Sequence, residues 1–598
     1  MIRSIVLACV MLCAVVGSAL AQNAPTALGA RRLEPWTEST RKAASTLAIQ
    51  DGGRIKPLST FARFFLLRLS AGTTLALDSD GKAKLQATDF VLDCLFFQEQ
   101  AMEYPVILVE DYDVLDAVGL GRIEGKRKRD RYSYNQLAPC FDRLFQQANQ
   151  LLDVEPRRQT PIQKQIVNLA RNVDAFVALM SWQTLTIVPP PAGEKEWLSP
   201  IQVRQREQRG DALGPQSDTV ARLTAMRDRL GSMTAFQDAF LPLTADLTAI
   251  ARERGEVDKI AMEAAYYDVN YFGWARWLFA GAFVFAALVF LSPKFRPTTW
   301  LARGTMVPAE LLLCVGITIR CIVRDRPPVS TLYETILFIT AIAVLVTLII
   351  EWLQPRRIAQ LIGAALGFAG MSLAGWYEEI SGTDTMPQLQ AVLDTNFWLS
   401  THVTTVTMGY AAGLLASAIS MGWVLVKTFV VVRGHAGDTK LWLPTLTRMA
   451  YGTLCFGALF STVGTILGGI WANESWGRFW GWDPKENGAL MIVLGILVIL
   501  HARIGGYVRE RGLHVLSILL GCIVVFSWFH TNQLGVGLHA YGFDEKLGKM
   551  IDRTYMTLLI GAGLGTVVGI IDTVRERQAA RAAAAAAAVG TKPVVSAN

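Results

Sequence analysis

Nine apolar stretches, each long enough to cross a lipid bilayer, constrain the fold of this chain more than any other feature. A membrane-spanning helix needs about 20 mainly apolar residues. Only 18% of the residues are charged, whereas soluble domains carry about 25%. We therefore predict an all-α polytopic membrane protein with about eight to nine spans after a signal peptide. The stretches lie at 274–292, 304–323, 332–353, 358–376, 403–426, 451–471, 488–504, 514–533 and 555–574.

The N-terminus has the pattern of a secretory signal. Arg3 precedes an apolar run that ends at Leu20, and small residues stand before Gln22. We expect residues 1–21 to be a signal peptide or, alternatively, an uncleaved anchor helix. Both interpretations export residues 22–270, whose mixed composition predicts a mostly helical extracytoplasmic domain with short apolar runs.

The loops between the apolar stretches differ in charge. Alternate loops are rich in Lys and Arg, whereas the loop 377–401 has neither. Because basic loops stay in the cytoplasm, the exported domain lies outside and the C-terminus inside. The membrane domain then covers 271–576, and an alanine-rich, disordered tail covers 577–598. The net charge of +7 reflects this topology rather than nucleic-acid binding.

An aromatic loop follows the sixth stretch. Four tryptophans and one phenylalanine fall within residues 471–482. Interfacial belts need no fixed glycines and no Asp-Pro turn, so we interpret the loop as a platform for a flat apolar ligand with carboxylates, which fits heme. The candidate heme contacts are Trp476, Arg478, Phe479, Trp480, Trp482, Asp483 and Lys485.

Histidines are the candidate ligands of the heme iron. His402 opens the fifth stretch and His539 follows the eighth, so both fall on the outer side with the aromatic loop and are candidate axial ligands. His501 lies in the inner half of the seventh stretch, where a histidine is expected to be functional. His530 is an alternative ligand. We expect no specific role for the two remaining histidines, His435 and His514.

The cysteines exclude several classes of site. No pair has Cys-x-x-Cys spacing, which argues against zinc ribbons, thioredoxin motifs and covalently bound heme. A disulfide between Cys94 and Cys140 of the exported domain is compatible with an oxidising compartment, and the sequence leaves this pairing open.

Five short motifs, taken in their order along the chain, resemble those of a known family. The run WGRFWGWDPKE looks like the tryptophan-rich (WWD) signature of system II cytochrome c biogenesis proteins of the CcsA or ResC type. The other four motifs are PPVSTLYE, FWLSTH, LHAR and GLHAYGF. The resemblance covers about residues 300–574, and the motifs stand at 327–334, 397–402, 476–486, 500–503 and 537–543.

The resemblance implies a heme-handling subunit of a cytochrome c synthase (heme lyase) in the bacterial inner membrane. Heme b, as a substrate in transit, would pass His501 and rest between His402 and His539. It would then be joined to the thiols of apocytochrome c, and we assign no catalytic residue. The implied partners are apocytochrome c, thiol-reducing proteins and a companion membrane protein of the CcsB or ResB type. The run QDGGRIKP at 50–57 resembles extensions of longer family members.

Four rival functions share parts of this pattern. A heme exporter without ligation chemistry would have a similar sequence, and a system I heme-handling protein would share the tryptophan signature. A respiratory b-type cytochrome would need paired histidines deep in the bundle. A solute transporter would use Glu310 and Arg320 of the second stretch, which a structural ion pair or snorkelling explains equally well.

Overall fold

The computed structural model describes residues 31–77, 82–291, 296–355, 357–388, 395–433, 439–537, 539 and 545–588. The proposed signal at 1–21 lies outside them. The chain forms two compact units: the first runs to Asp268 and includes Ser381–Gln388, and the second contains the remainder.

The first unit is mostly helical, as expected for the exported domain. Its core contains large buried aromatic side chains, among them Trp36, Phe90, Phe176 and Phe236. Its helices are Glu38–Ser45, Leu58–Ser70, Ala87–Phe96, Gln98–Glu103, Tyr112–Ala117, Tyr134–Leu137, Phe141–Leu151, Pro161–Met180, Pro200–Gln208, Gly214–Ala225, Met233–Glu253 and Ile260–Val269, with 3-10 turns at Ala138–Cys140 and Met226–Arg229.

Antiparallel hairpins supply the strands of the described residues. They pair β1 (Ala48–Asp51) with β2 (Arg54–Pro57), β3 (Thr74–Ala76) with β4 (Lys84–Gln86), and β5 (Ile107–Val109) with β6 (Asp130–Tyr132). Gly52 and Gly53 join β1 to β2 at φ 59° and 81°. Two left-handed residues match the twist of a tight hairpin.

The two cysteines of the first unit that the structure describes do not pair. Cys94 and Cys140 are both buried, and each is a free thiol. The disulfide that the sequence left open is therefore not formed in this structure.

The second unit contains helices that match all nine predicted stretches, within the part of the chain that the structure describes. The last helix continues through residues 577–588, which we expected to be disordered. Alanine, the strongest helix former, dominates there. The spans are Tyr271–Leu291 (span 1), Arg296–Arg324 (span 2), Leu332–Leu353 (span 3), Ile358–Ser381 (span 4), Thr404–Arg433 (span 5), Thr439–Trp476 (span 6), Pro484–Ile504 (span 7), Glu510–Val525 (span 8) and Glu545–Ala588 (span 9).

Two spans begin or end in a π-helical turn, and short α-helical turns flank them. Leu399–Val403 leads into span 5 after the turn Asn396–Trp398, and Phe526–His530 follows span 8 before the turn Thr531–Gln533. Single π-helical turns inside longer helices occur often at functional sites. One turn contains His402 and the other contains His530, two histidines that the predicted topology places on the outer side.

Small residues bring spans 5 and 6 close together. A Cβ at Gly464 would lie 2.6 Å from the Cα of Val406, and one at Gly409 would lie 2.3 Å from the Oγ of Ser461. Close approach at glycine is the usual way in which membrane helices associate. This contact fixes the segment that carries His402 against the outer half of span 6.

The charges of span 2 form a structural ion pair. Arg320 and Arg324 each lie 3.0 Å from the carboxylate of Glu334 in span 3, and the three side chains are buried. Arg320 therefore joins spans 2 and 3 in a structural ion pair. This is the alternative to a solute path that was given above. The Sγ of Cys314 contacts the Glu310 carboxylate at 3.6 Å.

Candidate functional site

The aromatic loop ends in a rigid helix start. Asp483 caps span 7 by accepting from the amide of Lys485 at 2.9 Å, with Pro484 at the first helical position. The Glu486 carboxylate accepts from the amides of Asp483 at 3.2 Å and Gly481 at 2.7 Å. This capping box fixes the backbone on which the candidate ligand contacts stand.

The rings of this loop leave apolar surface exposed. Phe479 is 50% exposed and Trp482 is 71% exposed. Trp480 and Trp482 meet edge to face at 6.3 Å. The Phe479 ring lies over Gly469 of span 6, where a Cβ would approach it to 2.5 Å. The loop therefore offers large aromatic faces to a ligand, as the sequence predicts.

His402 is held by the outer half of span 6. Its Nδ1 lies 2.8 Å from the carbonyl oxygen of Gly464. Its ring meets Trp471 at 5.7 Å, and a Cβ at Gly468 would approach the ring to 2.5 Å. The other ring nitrogen, Nε2, makes no hydrogen bond with the described residues, so it remains able to donate its lone pair to a metal.

His539 has a matching arrangement on the aromatic loop. Its Nδ1 lies 3.0 Å from Oδ1 of Asp483, and its ring meets Trp476 edge to face at 6.0 Å. Within the described chain its Nε2 is also without a hydrogen bond. The His402 and His539 imidazoles are close enough to interact electrostatically. The structure thus brings the two predicted axial ligands to the same end of span 6.

Two aromatic side chains near His402 were absent from the predicted set. Trp398 stacks on Trp471 with the ring centroids 6.5 Å apart, and its indole nitrogen donates to Glu474 at 3.0 Å. Trp398 lies in the motif FWLSTH and Trp471 opens the aromatic loop, so their nearness in sequence to the predicted residues was the signal that could have found them.

Arg478 and Lys485, the two basic candidates for contact with a ligand carboxylate, have different partners. Arg478 pairs with Glu486 at 3.4 Å and keeps 36% of its side chain exposed. Lys485 instead donates to the carbonyl of Trp528 at 2.9 Å and to Asn532 at 3.4 Å. The Lys485 ammonium group therefore has partners inside the protein, which the sequence analysis did not anticipate, and Arg478 is the better placed partner for a carboxylate.

Comparison with known proteins identifies the family. The family model described as Cytochrome C assembly protein matches residues 329–539. The cytochrome c biogenesis protein CcsA of Chlamydomonas reinhardtii is 30% identical over 251 residues, which are 40% of this chain and 68% of that protein. The chain belongs to the CcsA family. CcsA of Synechococcus sp. (strain CC9311) is 29% identical over 304 residues, which are 44% of this chain and 97% of that protein.

The matched residues contain the whole outer site. They include the aromatic loop with His402 and His539, whereas most of the first unit precedes them. The CcsA family assignment therefore supports a role in cytochrome c biogenesis and leaves the first unit to be explained from its own contacts.

His501 lies in the last turn of span 7, at the end opposite to the aromatic loop. It is exposed, and its Nδ1 lies 2.7 Å from the carbonyl oxygen of Leu497. As in His402 and His539, one ring nitrogen of His501 makes a hydrogen bond and the other makes none within the described residues. Its ring is exposed on the surface of the bundle.

Among the histidines that the structure describes, His514 is the fully buried one, and it makes specific contacts that we did not expect. Its Nδ1 lies 2.9 Å from Oγ of Ser420, and its Nε2 lies 3.0 Å from Oγ1 of Thr447. Its ring stacks on Trp423 at 4.5 Å. Both ring nitrogens are used, so His514 ties spans 5, 6 and 8 together and has no lone pair left for a metal.

The last two histidines are His530 and His435. His530, the alternative ligand, places its Nδ1 3.2 Å from the hydroxyl of Tyr555. His435 lies outside the described residues. The pattern in which Nδ1 meets a carbonyl or a carboxylate therefore occurs, in the described chain, at the three histidines predicted to bind iron.

The motif at 50–57 binds another part of the first unit. Arg54 donates to Glu263 at 2.7 and 2.8 Å and to Asp384 at 2.7 Å, and Lys56 pairs with Asp384 at 2.8 Å. Burial opposes ionisation of Asp384, but the charges of Arg54 and Lys56 hold the pKa of its carboxyl well below the usual range. The motif thus forms a buried ionic cluster.

This cluster incorporates Ser381–Gln388 into the first unit. A Cβ at Gly53 would lie 1.9 Å from Oε1 of Gln388, and Met386 is fully buried. The hairpin β1–β2 therefore recognises a segment of its own chain that follows span 4. Sequence reasoning did not find this contact, because the two segments lie far apart in the chain.

Proposed function

We propose that this protein binds heme at the extracytoplasmic face of the bacterial inner membrane and presents it for covalent attachment to Cys-x-x-Cys-His segments of apocytochromes c. The observation that carries the proposal is the state of the outer imidazoles. His402 and His539 each hold Nδ1 on a fixed acceptor and leave Nε2 without a hydrogen bond. Metal-binding histidines have this arrangement, since the second hydrogen bond fixes the tautomer and the ring orientation.

The surrounding side chains suit heme in other respects. The exposed faces of Phe479 and Trp482 provide apolar contact for a macrocycle. Arg478 is partly exposed and offers a charged donor for a propionate. Heme b is the substrate in transit, and in this role the protein supplies orientation and axial ligands rather than a catalytic side chain.

The proposed reaction joins a client thiol to a heme vinyl group. A sulfur–carbon bond forms at one vinyl carbon while the thiol proton is added to the other. The addition is redox-neutral and needs no oxidant or reductant. Thiol-reducing proteins would keep the client cysteines reduced. His402 and His539 hold the iron while two such additions take place, and folding of the client then removes the heme.

His501 is the proposed contact for heme on its way to the outer site. It lies at the other end of span 7 with an exposed ring and an unbonded Nε2 within the described residues. Exposure at a helix end suits a transient contact with heme that arrives from the membrane or the cytoplasm. A companion membrane protein of the CcsB type would complete the path.

The test compares the heme content and reduced-state spectrum of the detergent-purified protein with those of a His402→Ala, His539→Ala double variant. Wild type should carry six-coordinate heme that the double variant loses and that added imidazole restores. Heme-free wild-type protein with an intact fold would overturn the proposal and favour a scaffold role.

The control variant is His530→Phe, which removes a histidine whose one hydrogen bond in the described chain joins its Nδ1 to the hydroxyl of Tyr555 at 3.2 Å. It should retain the wild-type spectrum. A second readout, covalent heme on a co-expressed c-type cytochrome, separates attachment from export: wild type should support it, and heme delivered without covalent attachment would indicate an exporter.

A further inference from the structure

The two outer imidazoles differ in what holds their Nδ1 atoms. His402 meets the carbonyl of Gly464 at 2.8 Å, whereas His539 meets the carboxylate of Asp483 at 3.0 Å. A hydrogen bond to an ionised acceptor is about twice as strong as one between neutral groups. A carboxylate partner also raises the basicity of a ligating histidine. The two candidate axial donors are therefore unequal.

The carbonyl that holds His402 is shared. Gly464 lies inside the helix Thr439–Trp476, where a backbone carbonyl also accepts the helix's own hydrogen bond. His402 itself lies in the π-helical turn Leu399–Val403, which departs from regular helical hydrogen bonding. Both features make this histidine the less firmly fixed donor.

Asp483, by contrast, is fixed from two sides. Its side chain is 4% exposed and caps span 7 through the amide of Lys485. The segment leading to His539 passes so close that a Cβ at Gly537 would lie 2.0 Å from Oδ2 of Asp483. Gly537 also has φ 86°, which favours glycine. The carboxylate therefore has little freedom to leave the imidazole.

We propose, on the basis of the function proposed above, that Asp483 is a positioning residue that makes His539 the stronger axial donor and leaves His402 as the ligand that an incoming client histidine replaces. In that exchange a bond from the client imidazole to iron forms while the bond from His402 breaks. The iron keeps six ligands, and no electron is transferred. His539 retains the heme until both thiols have reacted.

The decisive experiment is a mutant cycle on heme affinity in the full-length protein. Asp483→Asn keeps a good helix cap and removes the charge. It should weaken heme binding about tenfold in a His402→Ala background, where His539 is the remaining ligand, and leave binding unchanged in a His539→Ala background. Equal losses in both backgrounds would show that Asp483 acts on the fold and would overturn the proposal.

A potentiometric titration of the heme-loaded protein gives the second readout. A weaker donor binds ferric iron less well, so Asp483→Asn should raise the midpoint potential by about 59 mV if the ratio of ferric to ferrous affinity falls tenfold. Asp552→Asn removes an exposed carboxylate from span 9 and should leave the potential unchanged. An unshifted potential in Asp483→Asn would overturn this inference, whereas heme-free wild type would overturn the proposed function itself.

Discussion

The two ends of the membrane bundle, called outer and inner after the predicted topology, both hold histidines in polar contacts, and they use them differently. At the inner end His514 is fully buried and spends both nitrogens on hydroxyl groups. At the outer end His402 and His539 spend one nitrogen each. The difference teaches that burial of a histidine does not by itself mark a metal ligand, because a metal needs a nitrogen whose lone pair no hydrogen bond uses.

Removal of the inner contact should produce the largest effect on stability. His514→Leu leaves the hydroxyl of Ser420 buried without a partner, whereas the hydroxyl of Thr447 keeps its hydrogen bond to the carbonyl of Leu443 at 2.9 Å. An unsatisfied buried group costs about 1–3 kcal/mol, so we expect a loss of about 2 kcal/mol in the free energy of unfolding. Thermal unfolding in detergent measures it, and the heme spectrum of the folded fraction should stay unchanged.

A triple variant separates hydrogen bonding from packing at this position. Addition of Ser420→Ala and Thr447→Val to His514→Leu removes both hydroxyls that His514 contacted, of which that of Ser420 is unpaired in the single variant, and such apolar replacement is often nearly neutral. Part of the lost stability should return. A change in heme ligation in the single variant would show that the two ends are not distinct after all.

An intermediate effect is expected at the outer end from a glycine beside His402. A Cβ at Gly468 would approach the imidazole to 2.5 Å, so Gly468→Ala should displace the ring and weaken heme binding about tenfold. The helix itself should gain up to about 1 kcal/mol, because alanine is the better helix former. Heme titration and thermal unfolding together distinguish the two contributions.

The matched control lies in the same helix. Gly452 has no atom within 4 Å of an added Cβ in the described structure. Gly452→Ala should therefore leave heme affinity unchanged. Equal losses of heme in the two variants would mean that His402 is not sensitive to its immediate neighbour.

The smallest effect should follow His530→Phe. The substitution removes one contact with Tyr555 at 3.2 Å, and a neutral hydrogen bond contributes about 1 kcal/mol or less. Stability should fall by no more than that. If His530→Phe removed bound heme, the assignment of His402 and His539 would have to be revised.

Much of the fold could be predicted because bilayer crossing requires apolar length. Each of the nine predicted stretches overlaps one observed span. Their ends were less accurate. The stretch 451–471 belongs to Thr439–Trp476, because hydropathy records the apolar crossing while backbone hydrogen bonding continues beyond it.

The outer site was predictable because its residues are concentrated in short motifs. The contacts that sequence reasoning missed join distant segments. His514 finds its hydroxyl partners on two other spans, and Lys485 finds Trp528 after span 8. Apolar periodicity does not encode such pairings, since Ser and Thr in a membrane helix equally often bond to their own backbone. The π-helical turn at His402 escaped prediction for a similar reason.

The first unit is assembled from two separate pieces of chain, and this fixes an order of events during synthesis. Its hairpin charges Arg54 and Lys56 find Asp384 after four membrane helices have been made. Domains usually fold as their N-terminal parts emerge. Here the final piece arrives late, so a chain that stalls before span 4 leaves the first unit incomplete and more open to proteases than the finished protein.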